Sequence, residues 1–206
     1  RLPSPQHTPY TSLEGKRYAV IGGHGGIGAP LVSAIGEAGG EAIPLSRQSG
    51  FDVRRDSVAE LGPLDGLIYA AGLLISGEIT RLSAADIEAQ VAINLTGLIK
   101  CCNEADIAPG GHLIAVASSA FSRGRKGYAV YSAAKAGVVN FMQAVAEERP
   151  DLCVSCVIPA RTDTPMRRAH FEGDSLLLQP EDVADRILSI ILEGKSKPTE
   201  YVRLTS

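Results

Sequence analysis

Apolar positions fall in short unbroken runs instead of alternating with polar ones, and stretches of helical spacing separate the runs. Residues 18–21, 41–45, 67–71, 112–117 and 153–158 predict strands, and residues 26–38 and 131–148 predict helices. Another helix is expected to start near Ser83, because Asp86 stands three residues on and completes a capping box. Strands that do not alternate are buried on both faces, so the series predicts an α/β fold, a Rossmann-like doubly wound parallel sheet in a single domain. Residues 1–15 hold three prolines, several Ser and Thr and no apolar period, and are expected to be a linker or tail ahead of a domain over 16–206. The first residue is Arg1, which agrees with trimming or with excision from a longer polypeptide.

The residues with chemistry cluster at one place in this pattern. The glycine turn after residue 21, Arg47, residues 70–72, Ser118 and the Pro159 segment each follow directly after a predicted strand. In a parallel sheet those positions share one edge, where ligands bind. Gly22, Gly26 and Gly28, with Gly23 and Gly25 between them, form G-x-x-x-G-x-G. Such a turn lets a backbone approach closely and aims the free N–H groups of the next helix at an anion such as a pyrophosphate; tight helix packing would need the same glycines. A carboxylate ending the second strand would accept from a ribose 2′-hydroxyl, whereas this chain has Ser46 and Arg47 there. A guanidinium suits a 2′-phosphate, so NADP(H) is expected over NAD(H), the alternative being an exposed loop charge. His24 is either a further donor near the phosphates or a solvent-facing ring.

Tyr131 and Lys135 stand four residues apart in Tyr-Ser-Ala-Ala-Lys, which places them on one helix face. An ammonium beside a phenol is expected to lower the tyrosine pKa from about 10 toward neutrality, giving an acid or base.

Composition narrows the classes. Two hundred and six residues with 45% hydrophobic content suit one domain, and a net charge of -3 argues against a nucleic-acid or acidic-membrane surface. The longest apolar run, residues 67–75, falls well short of the ~20 residues a bilayer requires, and no signal peptide is recognisable, so a cytoplasmic location is expected. Cys153 and Cys156 lie three apart on a predicted strand and face opposite ways; Cys101 and Cys102 diverge on a helix. Neither a metal nor a disulfide is expected.

The residues resemble the short-chain dehydrogenase/reductase family from about residue 15 to 192. The resemblance is carried by Ile-Gly-Gly-His-Gly-Gly-Ile-Gly at 21–28, Tyr-Ala-Ala-Gly at 69–72, Ile-Asn-Leu at 93–95, Ser118, Tyr-Ser-Ala-Ala-Lys at 131–135, and Pro159 with Thr164. It implies a tetrad of Asn94, Ser118, Tyr131 and Lys135. Hydride would pass between nicotinamide and a carbonyl or alcohol, Tyr131 giving the proton, Ser118 holding the same oxygen, Lys135 holding the ribose, and Asn94 anchoring a water. Gly22, His24, Gly26, Ile27, Gly28, Arg47, Ala71, Gly72, Pro159 and Thr164, with Tyr131 and Lys135, would hold NADP(H). Ile21, Tyr69, Ala70 and Ala160 depart from the family pattern.

Residues 119–168 are similar, more narrowly, to the reductase portion of bifunctional CDP-ribitol synthases, through Phe-Ser-Arg-Gly-Arg-Lys-Gly-Tyr at 121–128 and Ala-Arg-Thr-Asp-Thr-Pro-Met-Arg at 160–167. That implies ribulose 5-phosphate as substrate and a fused upstream domain. Arg123, Arg125, Arg161 and Arg167, with Lys126 and Arg168, fall on the two loops expected to flank the nicotinamide, as a phosphorylated substrate needs. The alternatives are solvated loop charges or a patch facing a partner subunit. Residues 176–178 are expected in a lid. The stripe Ala134, Val138, Phe141 and Val145 suggests a homodimer or homotetramer, or else burial against the sheet. A catalytically silent NADP(H)-binding sensor or scaffold, and a reductase of lipid or acyl carrier thioesters, are the competing readings.

Overall fold

In a computed structural model of the chain, residues 12–171, 173 and 177–202 are described. Among them, six strands form one parallel sheet: β1 (Arg17–Ile21), β2 (Glu41–Leu45), β3 (Leu64–Tyr69), β4 (Ile107–Val116), β5 (Cys153–Pro159) and β6 (Lys197–Val202). Their order is β2-β1-β3-β4-β5-β6, with every pairing parallel. Sequence order reverses between β1 and β3, and the crevice above their carboxyl ends is where an open α/β sheet takes a ligand.

Alternate strand residues supply two cores. Ala19, Ile21, Leu67, Tyr69, Leu113, Ala115, Val154 and Cys156 face one side, and Tyr18, Val20, Ile68, Ile114, Val116 and Val157 the other. The first side is covered by α3 (Gly97–Glu104) and α4 (Ala129–Glu148), through Leu98, Cys101, Val138 and Met142. The second is covered by α1 (Gly28–Glu37) and α6 (Pro180–Glu193), through Leu31, Ile35, Val183 and Ile187. Two shorter helices, α2 (Ala84–Val91) and α5 (Pro165–His170), border the crevice. Ser83 accepts from the Asp86 N–H, and the Asp86 carboxylate reaches back to the Ser83 N–H, so the expected capping box opens α2. Between α2 and α3 the chain makes a π-helical turn, Ala92–Thr96.

Several boundaries differ from those expected. Leu13, inside the stretch read as linker, is fully buried beside Leu31 and Ile35, and its N–H donates to Ala38 O at 2.8 Å. The packed part thus includes residue 13; residues 1–11 lie outside the described residues. Strand β4 starts at Ile107 and carries Pro109, Gly110 and Gly111, which a register shift opposite β3 accommodates. Leu178 is core, not lid: it packs with Val183 and pairs through its backbone with Arg161 and Asp163. Leu176 lies outside the described residues. On α4, Val138 and Val145 pack into the sheet core of the same subunit, and Phe141 lies beside them partly buried.

No helix among the described residues is long and apolar enough to cross a membrane. The four cysteines are unpaired thiols. Among the described residues, no cluster of His, Cys, Asp and Glu gathers in a geometry suited to a metal ion.

Candidate active site

A cleft of about 900 Å³ runs over the carboxyl edge of the sheet, from the end of β2 past the glycine turn to the amino end of α4. Its floor begins where β1 ends. Gly22 has φ +83°, and a Cβ there would sit 2.7 Å from Ala71 N, so only glycine lets the turn and the 70–72 loop approach this closely. No side chain caps α1 and no acid stands in its first turn, which leaves its positive end open toward the cleft. Thr164 closes the turn from the opposite side, its Cγ2 lying 2.8 Å from where a Gly26 Cβ would stand.

Gly22, His24, Gly26, Ile27, Arg47, Ala71, Gly72, Pro159 and Thr164 all line this cleft, and so do Ser118, Tyr131 and Lys135. Gly28 does not; it is buried behind the turn, against Gly22. At the outer end, Arg47 is exposed and follows Ser46, whose hydroxyl accepts from Gln48 N and meets His24 Nδ1 at 2.9 Å. His24 is therefore tied to the end of β2.

Ser118, two residues past β4, and Tyr131, in the first turn of α4, both open into the cleft. Burial pushes the Tyr131 phenol above its usual pKa, and the nearby Ser118 hydroxyl pulls it partly back. Lys135 is 3% exposed, its Nζ donates to Val116 O at 3.0 Å, and it lies 5.8 Å from the Tyr131 ring centre. Burial lowers the Lys135 pKa to about 8. The expected lowering of the tyrosine pKa by the ammonium is thus not met, because removal of both groups from water outweighs their attraction across that gap. Tyr131 remains protonated at neutral pH, a donor and not a ready-made base.

Asn94 is fully buried in the π-helical turn and does not border the cleft directly. Its Nδ2 donates to Leu73 O (2.6 Å) and Gln90 O (2.8 Å), and its Oδ1 accepts from Leu73 N (3.2 Å). The side chain holds the loop at Leu73. Gln90 assists, accepting from Ile75 N.

Of the loop cations, Arg125, Arg161 and Arg167 line the cleft, while Arg123 is exposed and outside it. Lys126 pairs with Glu78 at 3.2 Å and Arg168 with Asp163 at 2.7 Å, so neither is directed to the cleft. The Arg167 guanidinium stands 4.3 Å over the Phe171 ring, and that ring stacks on Tyr128 at 5.3 Å. Burial lowers the Arg167 pKa, and repulsion from Arg161 lowers it further. Arg161 is exposed and Arg167 half-buried, and both stand at this end of the cleft.

Several cleft residues were not singled out as site residues from the sequence. Asp52, Val53 and Arg54 line the β2 end, with Arg54 forked onto the Asp52 carboxylate and holding it well below the usual carboxylate range. Tyr128, Phe171 and Met166 wall the arginine end. Each sits in a loop or short helix without periodicity, where single residues cannot be assigned from spacing.

A family model described as short chain dehydrogenase matches residues 47–175. The bifunctional ribulose 5-phosphate reductase/CDP-ribitol pyrophosphorylase of Haemophilus influenzae is 34% identical over 84% of this chain, and the chain spans 40% of that protein's length. Thermoplasma acidophilum aldohexose dehydrogenase, solved without ligand, superposes with a TM-score of 0.85 at 21% identity, covering 94% of each chain. A Burkholderia cenocepacia short chain dehydrogenase in complex with NADP gives a TM-score of 0.79 at 23% identity, over 93% of this chain and 97% of that one.

Proposed function

The chain belongs to the short-chain dehydrogenase/reductase family, oxidoreductases that use a nicotinamide cofactor, and from this we propose that it is an NADP(H)-dependent carbonyl reductase acting on a ketose phosphate. The observation that carries the reading is that Ser118, Tyr131 and Lys135 line the same cleft as the glycine turn.

The residues present fit a dinucleotide. Gly22, Gly26 and Ile27, with the uncapped end of α1, would take the pyrophosphate, and Ser46 and Arg47 a 2′-phosphate. When bound, the reduced nicotinamide supplies the hydride. The chain's own residues do the rest. Ser118 donates to the substrate oxygen and fixes it beside the phenol, and Tyr131 passes its proton to that oxygen as negative charge grows there. The raised Tyr131 pKa suits this direction, since the proton is in place before hydride arrives. Lys135 keeps a partial positive charge near pH 8 and stands beside the tyrosine, favouring the phenolate left behind.

Arg161 and Arg167, with Arg125, support a phosphorylated substrate, and the similarity to a ribulose 5-phosphate reductase agrees with it. A steroid or acyl chain would gain nothing from guanidinium groups in the wall. The test pairs ribulose 5-phosphate with ribulose, each with NADPH, in the wild type and in Arg125→Ala/Arg167→Ala. The double variant should raise KM for the phosphorylated ketose about a hundredfold and leave ribulose unchanged. Equal effects on both substrates would remove the phosphate site, and NADPH binding without turnover of any carbonyl would support the silent sensor.

A further inference from the structure

We propose that Tyr69 is a positioning residue: its hydroxyl holds the π-helical turn Ala92–Thr96 in register, and through Asn94 it fixes the loop that floors the catalytic end of the cleft. In an α-helix the carbonyl of Ile93 would accept from the N–H of Gly97. Here the Gly97 N–H donates to Ala92 O, one residue earlier. The Tyr69 hydroxyl takes over, donating to Ile93 O at 2.6 Å from the end of β3.

The fit is specific at both ends. The Tyr69 side chain is 1% exposed, and burial pushes its hydroxyl far above the usual phenol pKa, so it stays a donor. Gly97 makes room for it. A Cβ there would lie 2.5 Å from Tyr69 Oη and 2.9 Å from Val53 Cγ2.

The brace reaches the reacting groups through one short path. Tyr69 is followed by Ala70, Ala71, Gly72 and Leu73, and Leu73 is held on both backbone groups by Asn94. The phenol and the asparagine therefore pin the same loop to the same turn at two points. Gly72 sits against this junction, with Asn94 Oδ1 3.3 Å and Lys135 Nζ 3.9 Å from its Cβ position. Without the hydroxyl, Ile93 O is a buried acceptor lacking this donor. Reversion of the turn to α-helical register supplies one, but it rotates the residues beyond by about 100° relative to those before, which pulls Asn94 off Leu73.

This role rests on the reductase reading, and kinetics separate the two. Tyr69→Phe should lower kcat about tenfold or more, raise the NADPH dissociation constant several-fold because the loop carries Ala71 and Gly72 of the cleft, and raise the solvent deuterium isotope effect on kcat, because proton delivery becomes limiting. Gly97→Ala should cost less in the Tyr69→Phe background than alone, since the added methyl then meets no hydroxyl. A fall in melting temperature with kcat and isotope effect unchanged would overturn the proposal and leave Tyr69 a packing residue. Absence of any turnover in the wild type would overturn the reductase reading, and the positioning role with it.

Discussion

Lys135→Met should make this protein more stable while removing its activity. The ammonium is 3% exposed, and burial lowers its pKa from 10.5 to about 8. At about 1.4 kcal/mol per pKa unit, keeping the charged form inside the fold costs about 3 kcal/mol at neutral pH. Against this stands one hydrogen bond, Lys135 Nζ to Val116 O at 3.0 Å, which contributes about 1 kcal/mol. A methionine fills the same channel without the charge, so the net gain is about 2 kcal/mol, or about 4–8 °C in melting temperature for a domain of this size. The sign also depends on pH. The unfolded lysine keeps its proton up to about 10.5 while the folded one releases it near 8, so the wild type gains stability as pH rises between these values. The gap between variant and wild type should be constant below pH 8 and shrink above it. Melting curves of both proteins without cofactor, from neutral pH to about 9.5, test this. A variant less stable than wild type at neutral pH, or a gap independent of pH, would refute it.

Other perturbations address other parts of the account. Arg47→Gln should raise KM for NADPH about tenfold and leave KM for NADH nearly unchanged, read from initial rates with each cofactor. Gly22→Ala, which forces a Cβ to 2.7 Å from Ala71 N at φ +83°, should abolish NADPH binding measured by nucleotide fluorescence. Leu13→Ala should cost about 3 kcal/mol in denaturant unfolding, as for other fully buried leucines; a loss below about 0.5 kcal/mol would return residue 13 to the linker.

The parallel sheet was legible in the chain because β1, β3 and β5 are apolar on both faces, and a run such as Cys-Val-Ser-Cys-Val-Ile does not read as a helix of any useful length. Strand β6 was not, since Lys-Pro-Thr-Glu-Tyr-Val buries only its last residue and forms through pairing with β5. The opening of β4 was hidden by Pro109, Gly110 and Gly111, which look like a break and lie at a shift of register within the strand. Leu13 was overlooked because one apolar residue among prolines and serines has no period; its burial depends on α1 and α6 arriving from far along the chain.

The site divides in the same way. Glycine turn, serine, tyrosine and lysine have fixed spacings, and the fold brings them to one cleft. What spacing does not encode is solvation: the Lys135 charge was expected to set the Tyr131 pKa, whereas burial of both groups governs it. Nor did charge alone sort the loop cations. Lys126 and Arg168 are engaged by Glu78 and Asp163, acids that could be assigned to them only in three dimensions.

The central claim is that Tyr131 gives its proton to a carbonyl reduced at this cleft, and the most direct test is the loss of reduced-nicotinamide absorbance when protein, NADPH and ribulose 5-phosphate are mixed, wild type beside Tyr131→Phe. Turnover by the wild type, with at least a thousandfold loss (~4 kcal/mol) in the variant and unchanged NADPH binding, is the predicted result. A Tyr131→Phe protein that oxidises NADPH at the wild-type rate would contradict the account.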